Sequence, residues 1–99
     1  MNIIINWAHS QIEEQVIKYT VYIEDEITGV LIYQQDFISN IALVDIDTVG
    51  LKFGDAIEVF VAASNSAGEG LMSDGVVVVV PRGPGRIPSK VIGVNVSFQ

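Results

Sequence analysis

Apolar and polar residues alternate with a period of two along most of this chain. Ile3, Ile5 and Trp7 fall on one side of an extended segment, and Asn2, Ile4 and Asn6 on the other. Ile17, Tyr19, Val21 and Ile23 alternate with Lys18, Thr20, Tyr22 and Glu24. Ile57, Val59, Val61 and Ala63 alternate with Glu58, Phe60, Ala62 and Ser64. Side chains project to opposite faces at successive positions of a strand, so each run predicts a half-buried β-strand, and its β-branched and aromatic content agrees. Further strands are expected near Val30–Tyr33, Ala42–Asp47 and Val76–Val80. Turn chemistry separates them at Thr28-Gly29, Ser39-Asn40, Phe53-Gly54-Asp55, Ala67-Gly68-Glu69-Gly70 and Asp74-Gly75. No stretch carries the 3.6-residue period of a helix.

The pattern breaks once. Pro81, Pro84 and Pro88 stand within eight residues. Proline lacks the N–H that a central ladder requires, so this stretch predicts an extended or turning linker. Alternation resumes from Lys90 to Phe98 and predicts a last strand at the C-terminus. The expected organisation is a sandwich body over residues 1–80, a linker over 81–89, and a strand over 90–99 that completes this sandwich or a neighbouring one. Many short strands without helices imply an all-β, two-sheet sandwich, and 99 residues are enough for one such core.

The stretch from Leu51 to Gly70 carries a recognisable spacing, with Leu51, Gly54, Val59, Val61, Ala63, Asn65, Gly68, Gly70 and Ser73 in register. It resembles the E–F corner, F strand and F–G loop of fibronectin type III domains. Trp7 resembles that family's strand B tryptophan, and Tyr19-Thr20-Val21 its strand C. The resemblance implies an immunoglobulin-like sandwich of the fibronectin type III kind. Two departures stand out. Ile57 and Phe53 occupy the family's corner tyrosine and corner proline positions, so no tyrosine-corner hydrogen bond forms. The family's first strand is also missing from the start, while Pro88-Ser89-Lys90-Val91-Ile92-Gly93-Val94-Asn95-Val96 resembles it at the other end. The implied strand order is B-C-C′-E-F-G-A.

Charge narrows the possible partners. The chain carries −7 overall, which argues against nucleic acid, whose binding rests on neutralising phosphates. Residues 1–75 hold all twelve acids and two lysines, a balance of −10, whereas residues 76–99 hold Arg82, Arg86 and Lys90 without an acid, a balance of +3. The ordinary reading of this split is a solvated acidic face with a basic tail; the sharper one is that the tail docks on an acidic body, its own or a neighbour's, through contacts that weaken with salt. No cysteine is present, so neither disulfides nor thiolate metal sites arise. The opening residues carry no cationic start or long apolar core of a secretory signal, and no apolar run approaches the ~20 residues of a membrane helix.

Candidate chemistry is sparse. His9 is the only histidine and has no nucleophile motif around it, so an exposed loop position is the better reading. Asp45 and Asp47 share a strand face, and Glu24-Asp25-Glu26 form an acidic tip, but neither has the ligand pattern of a calcium loop. Arg82-Gly83-Pro84 is no integrin-binding tripeptide, and Pro81 to Pro84 meets only the bare proline-rich ligand pattern. Expected cofactors and metals are therefore none, and catalysis is not expected. With a mean hydropathy of +0.46, outward Tyr22 and Phe60, with one face of the valine run, predict an apolar interface on the C–F–G side.

These readings favour a structural or assembly protein with protein partners. Self-association is expected through the C-terminal strand, with Arg82, Arg86, Lys90, Val91, Val94 and Val96 as interface residues beside Tyr22 and Phe60. Virion decoration, tail or fibre subunits use such sandwiches and exchanged arms, which favours a virion or an extracellular surface. The alternatives are an adhesion or spacer module from a multi-domain extracellular protein, or an accessory module of a secreted polysaccharide-degrading enzyme. The terminal strand is expected beside Ile3–Trp7, where it covers an otherwise bare sheet edge. Closing on its own domain requires crossing the sandwich, about 25 Å, which Pro81–Pro88 barely spans in polyproline geometry. Donation to a neighbour requires no such crossing and is the expected arrangement.

Overall fold

The computed structural model describes residues 1–8, 15–81 and 96–98. Eight strands form in chain order: β1 (Asn2–Asn6), β2 (Lys18–Asp25), β3 (Leu31–Phe37), β4 (Ile41–Asp45), β5 (Ala56–Asn65), β6 (Gly68–Met72), β7 (Val76–Val79) and β8 (Val96–Phe98). Two antiparallel sheets result. The first has the order β4-β1-β8, and the second runs β3-β2-β5-β6, with β7 also paired to β5. The all-β, two-sheet sandwich expected from alternation is the one formed.

The core lies between the sheets. Ile3, Ile5, Ala42 and Val44 face it from the first sheet, and Val21, Ile23, Ile57, Val59 and Val78 from the second. Ile46, Leu51 and Val80 cover the end where β4 leaves and β5 enters. Ile3, Val21, Ile23 and Ile57 are fully buried, each contributing roughly 1.5–3 kcal/mol. The loop at that end is tied by hydrogen bonds from Leu51 N to Ile46 O (2.9 Å) and Lys52 N to Asp55 Oδ2 (2.8 Å). Gly54, with φ at 93°, turns the chain so that its N–H reaches Val80 O at 2.8 Å.

Several local expectations are corrected. Ala67-Gly68-Glu69-Gly70 is not all turn. Ser66 and Ala67 make a tight reversal, with Ala67 N donating to Asn65 Oδ1 at 2.9 Å, and Gly68 already pairs with Asn65 as the start of β6. Every residue of β6 is exposed, so no hydrophobic alternation marked it. β3 extends four residues beyond Tyr33, because an edge strand accommodates polar Gln34, Gln35 and Asp36 without burying them. Ile17 lies ahead of β2 and is 61% exposed rather than facing the core.

The alternation of β5 also changes along its length. Ile57 and Val59 are buried as expected, but further along Ala62 and Ser64 are buried while Val61 and Ala63 are only half so. Ala62 and Ser64 are small and face the outer side of the sheet opposite Met72 and Glu69 of β6, where the Tyr22 side chain crosses β5 to reach Glu69. Val61 and Ala63 instead line a groove of about 230 Å³ with Trp7, Ala8, Tyr19, Leu71 and Ser73. Trp7 sits just past β1, half-buried, its ring edge-on to Tyr19 at 5.4 Å, and its Nε1 is buried without a hydrogen-bond partner among the described residues.

β8 runs antiparallel to β1, with Phe98 opposite Ile3 and Val96 opposite Ile5. The Phe98 ring packs against the core. This is the place expected for the C-terminal strand, and the edge it covers is that of its own chain. β7 ends at the Met1 end of the sandwich, whereas β8 enters towards the Trp7 end. The expected linker over 81–89 lies, apart from Pro81, outside the described residues.

Candidate interaction surface

Residues paired across neighbouring strands share a face, so the registers map the outer surface of the second sheet row by row. Nearest the Trp7 end, Asp36, Thr20, Ala62 and Met72 lie side by side. The next row is Gln34, Tyr22 and Phe60. Beyond it come Leu31, Glu24, Glu58 and Val77, then Ala56 and Val79 at the Met1 end.

Two sets of polar contacts cover this end of the face. Lys18 Nζ lies 3.0 Å from Asp36 Oδ2, and the buried Thr20 hydroxyl donates to Asp36 Oδ1 at 2.8 Å. The Thr20 hydrogen bond, and then Lys18, hold the Asp36 carboxyl below the usual aspartate range. The Tyr22 hydroxyl donates to Glu69 Oε1 at 2.7 Å. Since Glu69 pairs with Ser64, the Tyr22 ring runs over Ala62 to reach it. That hydrogen bond, with burial and the Glu69 and Asp36 charges, pushes the Tyr22 phenol up to about 12.

Tyr22 thus departs from the expected exposed patch. It points to the outer face, but at 8% exposure it is covered by its own chain. Phe60 lies beside it, half-buried and on the outer face rather than in the core. Of the expected arm residues, Arg82, Arg86, Lys90, Val91 and Val94 lie outside the described residues, as does His9. Val96 is placed by its backbone, opposite Ile5.

The last two rows differ in kind. Glu24 and Glu58 stand directly opposite each other on adjacent strands. Like charges so placed repel. The Glu58 carboxylate occupies the space that a side chain at Gly75 would need, leaning towards the sheet edge. Among the described residues no basic side chain forms a salt bridge with either glutamate; the one bridge there joins Lys18 to Asp36. On either side, Leu31 and Val77 are exposed, and Val79 beyond them is 46% exposed. Sequence alternation placed Glu24 and Glu58 outward but gave no register between their strands, so their opposition was not visible there. At the neighbouring hairpin tip, Asp25 Oδ1 accepts from Ile27 N and Thr28 N, each at 2.9 Å. These backbone hydrogen bonds, that of Thr28 first, lower its carboxyl, so Asp25 is committed to its own turn.

The sandwich places the chain among immunoglobulin-like and fibronectin type III-like β folds. No protein-family model matches it, and no curated protein does. Among solved structures it is similar to the twitchin kinase region from C. elegans (Fn31-NL-kin-CRD-Ig26), with a TM-score of 0.67 and 19% identity. The similarity covers 82% of this chain and 14% of that one, and at such identity it defines the fold alone.

Proposed function

We propose that this chain is a non-enzymatic structural or assembly subunit of the fibronectin type III kind, joined to neighbouring copies through its C-terminal arm. In this reading β1 is strand B, β2 is C, β3 is C′, β4 is E, β5 is F, β6 and β7 together are G, and β8 is the A strand arriving last. The observation that carries it is the β1–β8 pairing, in which a short strand at the chain end covers an edge bearing two fully or nearly fully buried isoleucines. Such a strand is exchangeable, because a neighbour's copy makes the same contacts in the same register. Virion decoration, tail or fibre assemblies are the setting that best suits an exchanged arm.

Light scattering across a concentration series tests the exchange. A cysteine at Ile4 and one at Ser97, which are paired positions in the β1–β8 register, report whose strand is bound. Mixing Ile4→Cys and Ser97→Cys chains should yield a disulfide-linked pair. A persistently monomeric protein with no cross-link overturns the exchange. A second reading, a module from a multi-domain chain, draws on the twitchin similarity, which matches one part of a much longer chain. Coding sequence for further sandwich modules on either side would favour it.

A further inference from the structure

We propose that the row Leu31–Glu24–Glu58–Val77 on the outer face of the second sheet is a docking strip for the basic segment 82–90 of a second copy of this chain. The inference rests on the reading that copies associate, but it holds whether β8 closes on its own copy or on a neighbour.

Three observations carry it. First, Glu24 and Glu58 occupy paired positions on adjacent strands, with no donor bonded to either carboxylate among the described residues, on the same face where Asp36 and Glu69 both have donors. Two unpartnered carboxylates in one row make a negative strip that a cation from outside complements. Second, the pair is flanked by exposed Leu31, Val77 and Val79, which add apolar contact to any chain laid across the row. Third, the charge complement is present in the same sequence: Arg82, Arg86 and Lys90 stand with Ile87 between them and with no acid from 76 to 99. Two strips cannot meet face to face, since that would bring four carboxylates together. The occupant is therefore cationic.

The test uses full-length chains with exchanged charges. Glu24→Lys with Glu58→Lys makes one variant, and Arg82→Glu, Arg86→Glu with Lys90→Glu makes the other. Each alone should self-associate about tenfold more weakly than the wild type by sedimentation, and mixing them should restore association as a heterologous pair. Amide shifts in the mixture should cluster on residues 24, 31, 58, 77 and 79. The neutral variant Glu24→Gln with Glu58→Gln, whose fold is checked by circular dichroism, should weaken association in the same direction. Association that survives in both charge-exchanged variants places the interface elsewhere and overturns the strip while leaving arm exchange intact. Shifts of the strip that follow salt but not concentration show the segment docked on its own copy, which overturns the second copy as occupant. A wild-type chain that is monomeric throughout overturns both readings, whereas shifts confined to residues 3–5 support arm exchange alone.

Discussion

The two ends of one sheet face handle their carboxylates in opposite ways. Towards Trp7, Asp36 accepts from Thr20 and Lys18, Glu69 accepts from Tyr22, and Thr20, Tyr22, Ala62 and Ser64 are buried there. Towards Met1, Glu24 opposes Glu58 between exposed aliphatic side chains. The backbone differs as well: the β2–β3 register shifts between Ile23 and Glu24, and β5 pairs with β6 at one end and with β7 at the other. The closed end stabilises the domain. At the open end neither carboxylate has a bonded donor among the described residues.

The largest effect comes from placing the same residue at each end. Ala62→Lys puts a cation under the Tyr22 ring at a position only 1% exposed, and should cost about 2–4 kcal/mol. Val77→Lys sets a cation opposite Glu58, where it is solvated, and should change stability by less than about 0.5 kcal/mol. Urea unfolding of both variants measures the contrast. Similar costs at the two positions would remove it.

Next in size is Tyr22→Phe, which removes the hydrogen bond to Glu69 and should cost about 0.5–1.5 kcal/mol at neutral pH. Its pH signature is more specific. The fold raises the phenol from 10.0 to about 12, so the contribution is complete below pH 10 and is lost as pH rises towards 12. The wild type should destabilise through that window more steeply than Tyr22→Phe. Parallel curves would mean that the phenol titrates alike in the folded and unfolded chains.

Asp36→Ala acts at the acid limb. Because the folded carboxyl is lowered, its contribution is present above the ordinary aspartate value and is lost as pH falls through the folded value. The variant should be less stable at neutral pH, with a flatter loss below pH ~4. Thermal melts from acid to neutral pH measure this. An unchanged acid limb would show that the Thr20–Asp36 bond does not persist in solution.

Much of this architecture was legible because burial on one face imposes a period of two. β1, β2 and the first half of β5 follow from that rule, and Gly54 marked its turn because only a residue without a side chain adopts that φ cheaply. The signal failed where burial was absent or doubled. β6 is exposed throughout and has no alternation to read. β2 is buried on both faces from Tyr19 to Ile23, so Tyr22 looked like an exposed aromatic although Glu69, far along the chain, holds it down. The candidate surface depends on which residues meet across strands, and alternation within one strand carries no such information.

The smallest predicted effect bears most directly on the open end. Replacing Glu58 with Gln removes one of two opposed charges while keeping the size and polarity of the side chain. The folded domain should gain about 0.2–1 kcal/mol, since like charges directly opposite across a ladder destabilise it by that order. Glu24→Gln should give a similar gain, and the double variant no more than either single one, because only one repulsion exists to relieve. Salt provides the control: the gain should shrink as ionic strength rises and screens the pair. Glu69→Gln, at the closed end, should show no gain, because it weakens the acceptor of Tyr22 rather than a repulsion. Melting temperatures of these four variants at low and high salt measure the contrast. If the Glu24 and Glu58 variants lose stability as Glu69→Gln does, those two carboxylates already have a cationic partner within the isolated domain, and the strip has no vacancy for a second copy.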